Sequence, residues 1–434
     1  MTDESAWGFE TKQIHAGATP DPATNARATP IYQTTAYTFD SVEHAQNLFA
    51  LKEPGNIYTR IMNPTQAVAE ARITALAGGT GTLLLASGQT ATTFAVLNIA
   101  QAGDHIVSSS SVYGGTYNLF RHTLAGFGIE VTFVENQDDA AQWRAAIRPN
   151  TKLLFAETIG NPRINVLDIR LVADVAHEAG IPLIVDNTIA TPYLLQPLEH
   201  GADIVVHSAT KFLSGHGTII AGAIVDGGRF PWSQHPDRFP GLSEPDPSYH
   251  GLSYTTDLGD PIAYITKARV QLLRDIGAAV ALDNAWQLIQ GIETLSVRMD
   301  RHVHNAQAIA TWLEARPEVT TVNYATLPSS PWYHTAKKYA PDGVGAVLSF
   351  ELAGGVPAGR AMVENVALFS HVANIGDVRS LIIHPASTTH SQLTPEEQLS
   401  AGVTPGLVRL SVGIEHVDDL VDDLEAALTV ACAA

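Results

Sequence analysis

The chain has 434 residues, 45% hydrophobic and 16% charged, a balance that suits a well-buried folded protein of about two domains and excludes a disordered one. Lys plus Arg number 25 against 44 Asp plus Glu, for a formal charge of −19, and no basic run occurs, so nucleic acid is an unsuitable partner. The single cysteine, Cys432, cannot form an internal disulfide or a Cys-based zinc cluster, and no apolar stretch approaches the roughly 18 residues of a membrane span. The polar, acidic start MTDESAWGFE has no apolar leader run, and a cytoplasmic protein is expected.

Residues 1–62 read as an arm. They are rich in Thr, Pro and Ala, and only 41–51 show periodicity. Alone such an arm buries too little, so it is expected to lie over another surface. From about 70 to 226, short apolar runs recur at 82–87, 105–110, 129–134, 152–158, 182–188, 203–210 and 219–225. Segments of helical length, such as 89–101, 138–147 and 169–179, lie between most of them. This alternation predicts an α/β fold with a mostly parallel central sheet and helices on both faces. Residues 227–260, full of Pro, Ser and aromatics, read as a long irregular insertion. Helical patterns follow at about 262–290 and 293–316, and strand signals at 346–352 and 407–413 mark a smaller C-terminal α+β domain. The expected division is 1–62, 63–290 and 291–434.

Ligands of open α/β sheets bind at the C-terminal ends of the strands, so these ends carry the functional reading. The first, Ser87-Gly88-Gln89, opens a helix. It suits an anion held by backbone N–H groups or an ordinary tight turn. The second sets Tyr113 beside Gly114 and Gly115, as a ring stacked on a flat ligand or a tyrosine over a turn. The fourth runs Glu157-Thr158-Ile159-Gly160-Asn161-Pro162. The fifth ends in Asp186, which is costly to bury without a partner: it pairs with a protonated heteroaromatic nitrogen or caps the next turn.

The sixth, Val206-His207-Ser208-Ala209-Thr210-Lys211-Phe212-Leu213-Ser214-Gly215-His216, puts a lysine at the end of an apolar strand. A buried lysine has a depressed pKa and becomes a nucleophilic amine, the requirement of Schiff-base chemistry. Amine, carboxylate, aromatic face and phosphate donors together form the set a pyridoxal-phosphate site needs. Gly78-Gly79-Thr80-Gly81 precedes a strand, on the wrong side for a dinucleotide fingerprint. No P-loop, GxSxG or HExxH motif occurs, and His302/His304 and His384/His390 have no metal-ligand pattern.

On Ser208-Ala209-Thr210-Lys211 and these strand ends, the chain resembles the Cys/Met-metabolism family of fold-type I pyridoxal-phosphate enzymes from Thr11 to Val430. The resemblance implies that Lys211 is the Schiff-base lysine and proton carrier, Asp186 the partner of the pyridine nitrogen and Tyr113 the stacking ring. It gives Ser87, Gly88, Gln89, Thr188, Ser208 and Thr210 to the cofactor, and Asn161 to cofactor or substrate carboxylate. Tyr58 and Arg60, in Tyr58-Thr59-Arg60-Ile61-Met62-Asn63-Pro64-Thr65, resemble a pair that reaches the phosphate of a neighbouring subunit, and Tyr113, or Tyr58 from the neighbour, is implied to assist proton transfer. The implied assembly is a dimer at least, and a tetramer by family habit. Arg409, in Leu407-Val408-Arg409-Leu410-Ser411-Val412-Gly413, looks like the clamp for the substrate α-carboxylate.

Departures from the family pattern narrow the expectation. Gly114-Gly115 follow the stacking tyrosine where the methionine γ-lyases carry a cysteine. Arg379, in Asn374-Ile375-Gly376-Asp377-Val378-Arg379-Ser380, stands where cystathionine-handling relatives carry a glutamate, and an arginine there would repel a distal ammonium. Arg379 and Ser380 are therefore expected at the substrate. The implied branch is the O-acetylhomoserine sulfhydrylases, acting by γ-replacement with sulfide or methanethiol. Transfer to cysteine, as in cystathionine γ-synthase, and use of O-succinylhomoserine are the alternatives. A non-catalytic cofactor-sensing regulator is a remote one, because no DNA-binding segment or basic patch is present.

Overall fold

The computed structural model describes residues 6–389, 391, 394–400 and 402–432. Its main sheet has seven strands: β1 (Gly81–Leu85), β2 (His105–Ser109), β3 (Glu130–Val134), β4 (Thr151–Glu157), β5 (Leu183–Asp186), β6 (Ile204–His207) and β7 (Gly222–Asp226). Their order is β1-β7-β6-β5-β4-β2-β3. Pairing is parallel from β3 through β2, β4 and β5 to β6, and antiparallel on both sides of β7. Only β7 is reversed, so the mostly parallel sheet expected from the alternating runs is present. Every position of β2, β6 and β7 is buried, as is nearly every position of β4 and β5. A strand buried along both faces is one covered on both sides, which is why these runs lack polar alternation.

The reversal of β7 matters for the site. The chain leaves β6 and returns antiparallel beside it, so residues 208–221 fold back over the C-terminal end of the sheet. Thr210 is tied to Ala221 there by two hydrogen bonds, its Oγ1 accepting from the Ala221 N–H at 3.0 Å and donating to its carbonyl at 3.2 Å.

A second sheet is formed by β8 (Val319–Asn323), β9 (Val347–Leu352), β10 (Ser370–His371), β11 (Leu381–Ile383) and β12 (Leu407–Ser411), in the order β10-β11-β12-β9-β8. Only the short β10–β11 pair is parallel. Before the main sheet, helices run at Val42–Phe49 and Pro64–Ala77, the latter capped by the Asn63 side chain with Pro64 in its first turn.

Two sequence expectations change. The pattern at 262–290 is not one helix. Helical stretches at Asp260–Lys267, Ala268–Leu273 and Arg274–Ile276 stop at Gly277, whose φ of +84° is left-handed, and a new helix starts at Leu282. The insertion at 227–260 also has a core of its own. Trp232 is fully buried, stacked on Tyr264 with ring centroids 5.4 Å apart and packed on Phe230 and Phe239. That aromatic packing is invisible to a reading based on periodicity. His390 lies outside the described residues.

Candidate active site

One cavity of about 350 Å³ lies at the C-terminal ends of the main-sheet strands and is closed on one side by the second sheet. Its wall beyond β1 is the start of the helix Gly88–Leu97. Ser87 caps this helix, its Oγ accepting from the Thr90 N–H at 3.0 Å. The first N–H groups of a helix have no intrahelical acceptor and carry partial positive charge, so they favour an anion. Gly88 abuts the turn after β6 so closely that an added Cβ would lie 2.6 Å from the Cβ of Ser208. Only glycine lets the helix start and the Ser208–Thr210 turn make one concave surface. Thr188 ties in β5, its Oγ1 accepting from the Ser208 N–H at 2.8 Å.

Tyr113 follows β2 with its ring over Gly115 and stands 54% exposed at the cavity rim. The Gln89 side chain donates to the Gly115 carbonyl at 2.8 Å and holds the two turns together. Asp186 ends β5 and accepts from the Thr188 N–H at 2.8 Å. Burial pushes its pKa up to about 6, against the pull of the Thr188 hydrogen bonds.

Lys211 lies among these groups. Burial first, and the Arg409 guanidinium second, lower its pKa to about 8. Its Nζ donates to Oδ1 of Asn374, in the loop between β10 and β11. That loop reaches so deep because Gly376, with φ of +77°, lies against the lysine backbone, where an added Cβ would be 3.0 Å from the Lys211 Cα. The turn after Lys211 is held from behind by Arg298, on the helix Leu295–Glu314. Its guanidinium donates to the carbonyls of Phe212 at 2.8 Å, Leu213 at 3.3 Å and Gly291 at 2.7 Å.

Arg409 enters from β12 and is 9% exposed. It donates to Oδ1 of Asn161 at 3.3 Å and to the carbonyl of Asn374 at 3.1 Å, while its Nε is buried without a partner. Burial lowers its pKa to about 10, still far above neutrality. A buried, charged, unsatisfied donor facing a cavity is a binding group for a carboxylate.

The fold thus brings Ser87, Gly88, Gln89, Tyr113, Asn161, Asp186, Thr188, Ser208, Thr210, Lys211 and Arg409 to one cavity. Four expected residues are not on its wall. Tyr58 is 41% exposed with the Arg60 guanidinium 5.3 Å from its ring centre, and neither lines this cavity. Arg379 points outward near Asp377, and Ser380 is fully buried, its Oγ donating to Glu415 and accepting from the Gly413 N–H at 2.8 Å. These last two lie beyond the turn at Gly376, and their expected substrate contacts are absent from this chain's cavity. Sequence reading assigned no role to Glu157 or Asn374, both on the wall. A second acid ending a strand beside Asp186 was a usable signal for Glu157. Nothing local marked Asn374.

Residues 10–429 match the family described as Cys/Met metabolism PLP-dependent enzyme. The chain is 54% identical over 427 residues to an O-acetyl-L-homoserine sulfhydrylase of Leptospira meyeri, covering 96% of each chain. It is 52% identical over 422 residues to an enzyme of the same name from Corynebacterium glutamicum, again covering 96% of each. Among solved structures, an O-acetylhomoserine (thiol)-lyase of Campylobacter jejuni containing N'-pyridoxyl-lysine-5'-monophosphate superimposes with a TM-score of 0.93 at 42% identity, over 98% of this chain and all of that one.

Proposed function

Because the chain belongs to the Cys/Met metabolism PLP-dependent enzyme family, we propose that it converts O-acetyl-L-homoserine and sulfide to L-homocysteine and acetate with pyridoxal phosphate as cofactor. The observation that carries this reading is the meeting of Lys211, Asp186 and Arg409 in one cavity. The relatives named O-acetyl-L-homoserine sulfhydrylase support the substrate.

The residues fit the cofactor. The start of the helix Gly88–Leu97, with Ser208 and Thr210, offers N–H and hydroxyl donors for a phosphate. Asp186 would face the ring nitrogen, Tyr113 the ring and Lys211 the aldehyde. The chemistry supplied by bound pyridoxal phosphate is that of an electron sink, which makes protons on Cα and Cβ labile and lets acetate leave from Cγ.

The protein groups have separable tasks. Arg409 grips the substrate carboxylate, with Asn161 and the Asn374 carbonyl fixing the guanidinium plane. Lys211, with its pKa near 8, is free of its proton often enough at neutral pH to take one from Cα, and acidic enough once charged to give it back. Asn374 holds Nζ in place between these transfers. Ile159, Ile189, Ile220, Ala373 and Ile375 keep the remaining wall apolar and limit water.

The same wall supports a small nucleophile. Among the described residues Lys211 and Arg409 are its only lysine and arginine, so once one carboxylate is bound this wall offers no second guanidinium to an amino-acid nucleophile such as cysteine. Sulfide needs no such group, and methanethiol is accommodated by the apolar wall. Arg379, beside Asp377, lies off the cavity, so the preference rests on the wall and not on the charge of Arg379.

Assembly into dimers, and of dimers into tetramers, follows from the same reading. Tyr58 and Arg60 stand outside their own chain's cavity, on an arm that also exposes Ile31, Phe39, Val42 and Phe49. Among the described residues no helix is long and apolar enough to cross a membrane. With a single cysteine, we place the enzyme in the cytoplasm.

The test is a product assay with O-acetylhomoserine, offering sulfide and cysteine separately and identifying products by mass. Homocysteine from sulfide with little cystathionine from cysteine is expected. Cystathionine as the main product would overturn the nucleophile assignment while leaving the cofactor chemistry in place.

A further inference from the structure

Two carboxylates, not one, end adjacent strands under this cavity. In the parallel pairing of β4 with β5, Glu157 is in register with Asp186, so the two side chains leave the same face of the sheet. Both line the cavity, and Glu157 is only 5% exposed. Its Oε1 accepts from the Tyr113 N–H at 2.6 Å, which ties the end of β4 to the segment that carries the rim tyrosine.

We propose that Glu157 is a positioning residue of this site: held as a neutral acid, it fixes the backbone at Tyr113 and leaves Asp186 as the single negative charge for the ring nitrogen. The proposal rests on the reading of the cavity as the pyridoxal-phosphate site.

The electrostatics follow from the geometry. Two buried carboxylates side by side cannot both be ionised without a large penalty, and among the described residues no cation offsets either of them. Of the ionisable groups around the cavity, Lys211 and Arg409 are committed to Asn374 and Asn161, and Tyr113 meets Glu157 through its backbone. Burial, and after it the Asp186 charge, drive the Glu157 pKa well above the carboxylate range, while the Tyr113 N–H pulls the other way. Asp186 is shifted less, to about 6, because the Thr188 hydrogen bonds favour its anion. The shared proton therefore belongs to Glu157. As an acid it still accepts from Tyr113 through its carbonyl oxygen, and a second anion near Asp186 is avoided.

A glutamine is a permanent neutral isostere of this group, which makes the proposal testable on purified holoenzyme and on protein stripped of cofactor. Glu157→Gln is expected to bind pyridoxal phosphate within about threefold of wild type, because the hydrogen bond and the charge state both survive. The pH midpoint of its cofactor absorbance band should be unchanged. Glu157→Ala, which loses the Tyr113 hydrogen bond, is expected to bind cofactor about tenfold more weakly.

A Gln variant as defective as the Ala variant, or one with a displaced pH midpoint, would show that the charge is needed and overturn the proposal. An Ala variant indistinguishable from wild type would overturn it from the other side. A wild-type protein without any cofactor band would instead refute the cofactor reading itself.

Discussion

Removing the Arg409 guanidinium is the sharpest perturbation of substrate binding. The group is 9% exposed, two of its nitrogens are held by Asn161 and the Asn374 carbonyl, and its Nε is buried without a partner. A substrate carboxylate would gain two charge-assisted hydrogen bonds, at about 1.5–3 kcal/mol each. Water admitted to the cavity returns part of that sum in Arg409→Ala and leaves a loss of about 3–4 kcal/mol. At 1.4 kcal/mol per decade, kcat/KM for O-acetylhomoserine should fall by about 100- to 1,000-fold, mostly in KM. Arg409→Lys should recover only part of this, because a point charge cannot reproduce the planar fork. Cofactor content should be retained, since the groups proposed to hold the cofactor lie at the strand ends of the main sheet. Steady-state kinetics with a titration of the cofactor band measure both. An unchanged KM, with kcat alone reduced, would refute the assignment of Arg409 to the carboxylate.

Two other consequences follow from the site. With the Lys211 pKa lowered to about 8, the reactive neutral amine accumulates as pH rises through that value, and the ammonium prevails below it. The rate at which cofactor-free protein captures pyridoxal phosphate should therefore climb with pH and level off above about 8; a midpoint near the ordinary lysine value of about 10.4 would show that the amine is not desolvated. If Tyr58 and Arg60 complete the site of a neighbouring subunit, Lys211→Ala and Arg60→Ala proteins, each impaired alone, should regain activity when unfolded and refolded together. Random pairing yields one intact site in each mixed dimer, or roughly a quarter of wild-type activity. Mixtures no more active than the sum of their parents would argue against a shared site.

Most of the residues that meet in the cavity were legible in the sequence. In an open, mostly parallel sheet, ligands bind at the C-terminal strand ends. Although an aspartate there also caps the next turn, as Asp186 does with the Thr188 N–H, a lysine closing an apolar run beside it is an unusual place for a solvating residue. That reasoning reached Lys211, Asp186, Tyr113 and the Ser87–Gln89 turn, because each is coded by its own few neighbours. It also reached the stretch holding Glu157 without assigning that residue a role, since its partner Asp186 is 29 positions further on and becomes a neighbour only through the β4–β5 register.

What the sequence by itself determined, then, was the alternating α/β core and the chemistry gathered at its strand ends, both set by local patterns of burial. Tertiary structure alone decided the rest. Asn374 reaches the Lys211 amine across 163 residues of chain, Arg298 braces the turn behind that lysine, and Ser380 turns inward to Glu415 instead of toward substrate. These outcomes depend on where the second sheet docks and which way each side chain faces once it has. Docking is settled by packing between segments far apart in sequence, and no local run of residues encodes it.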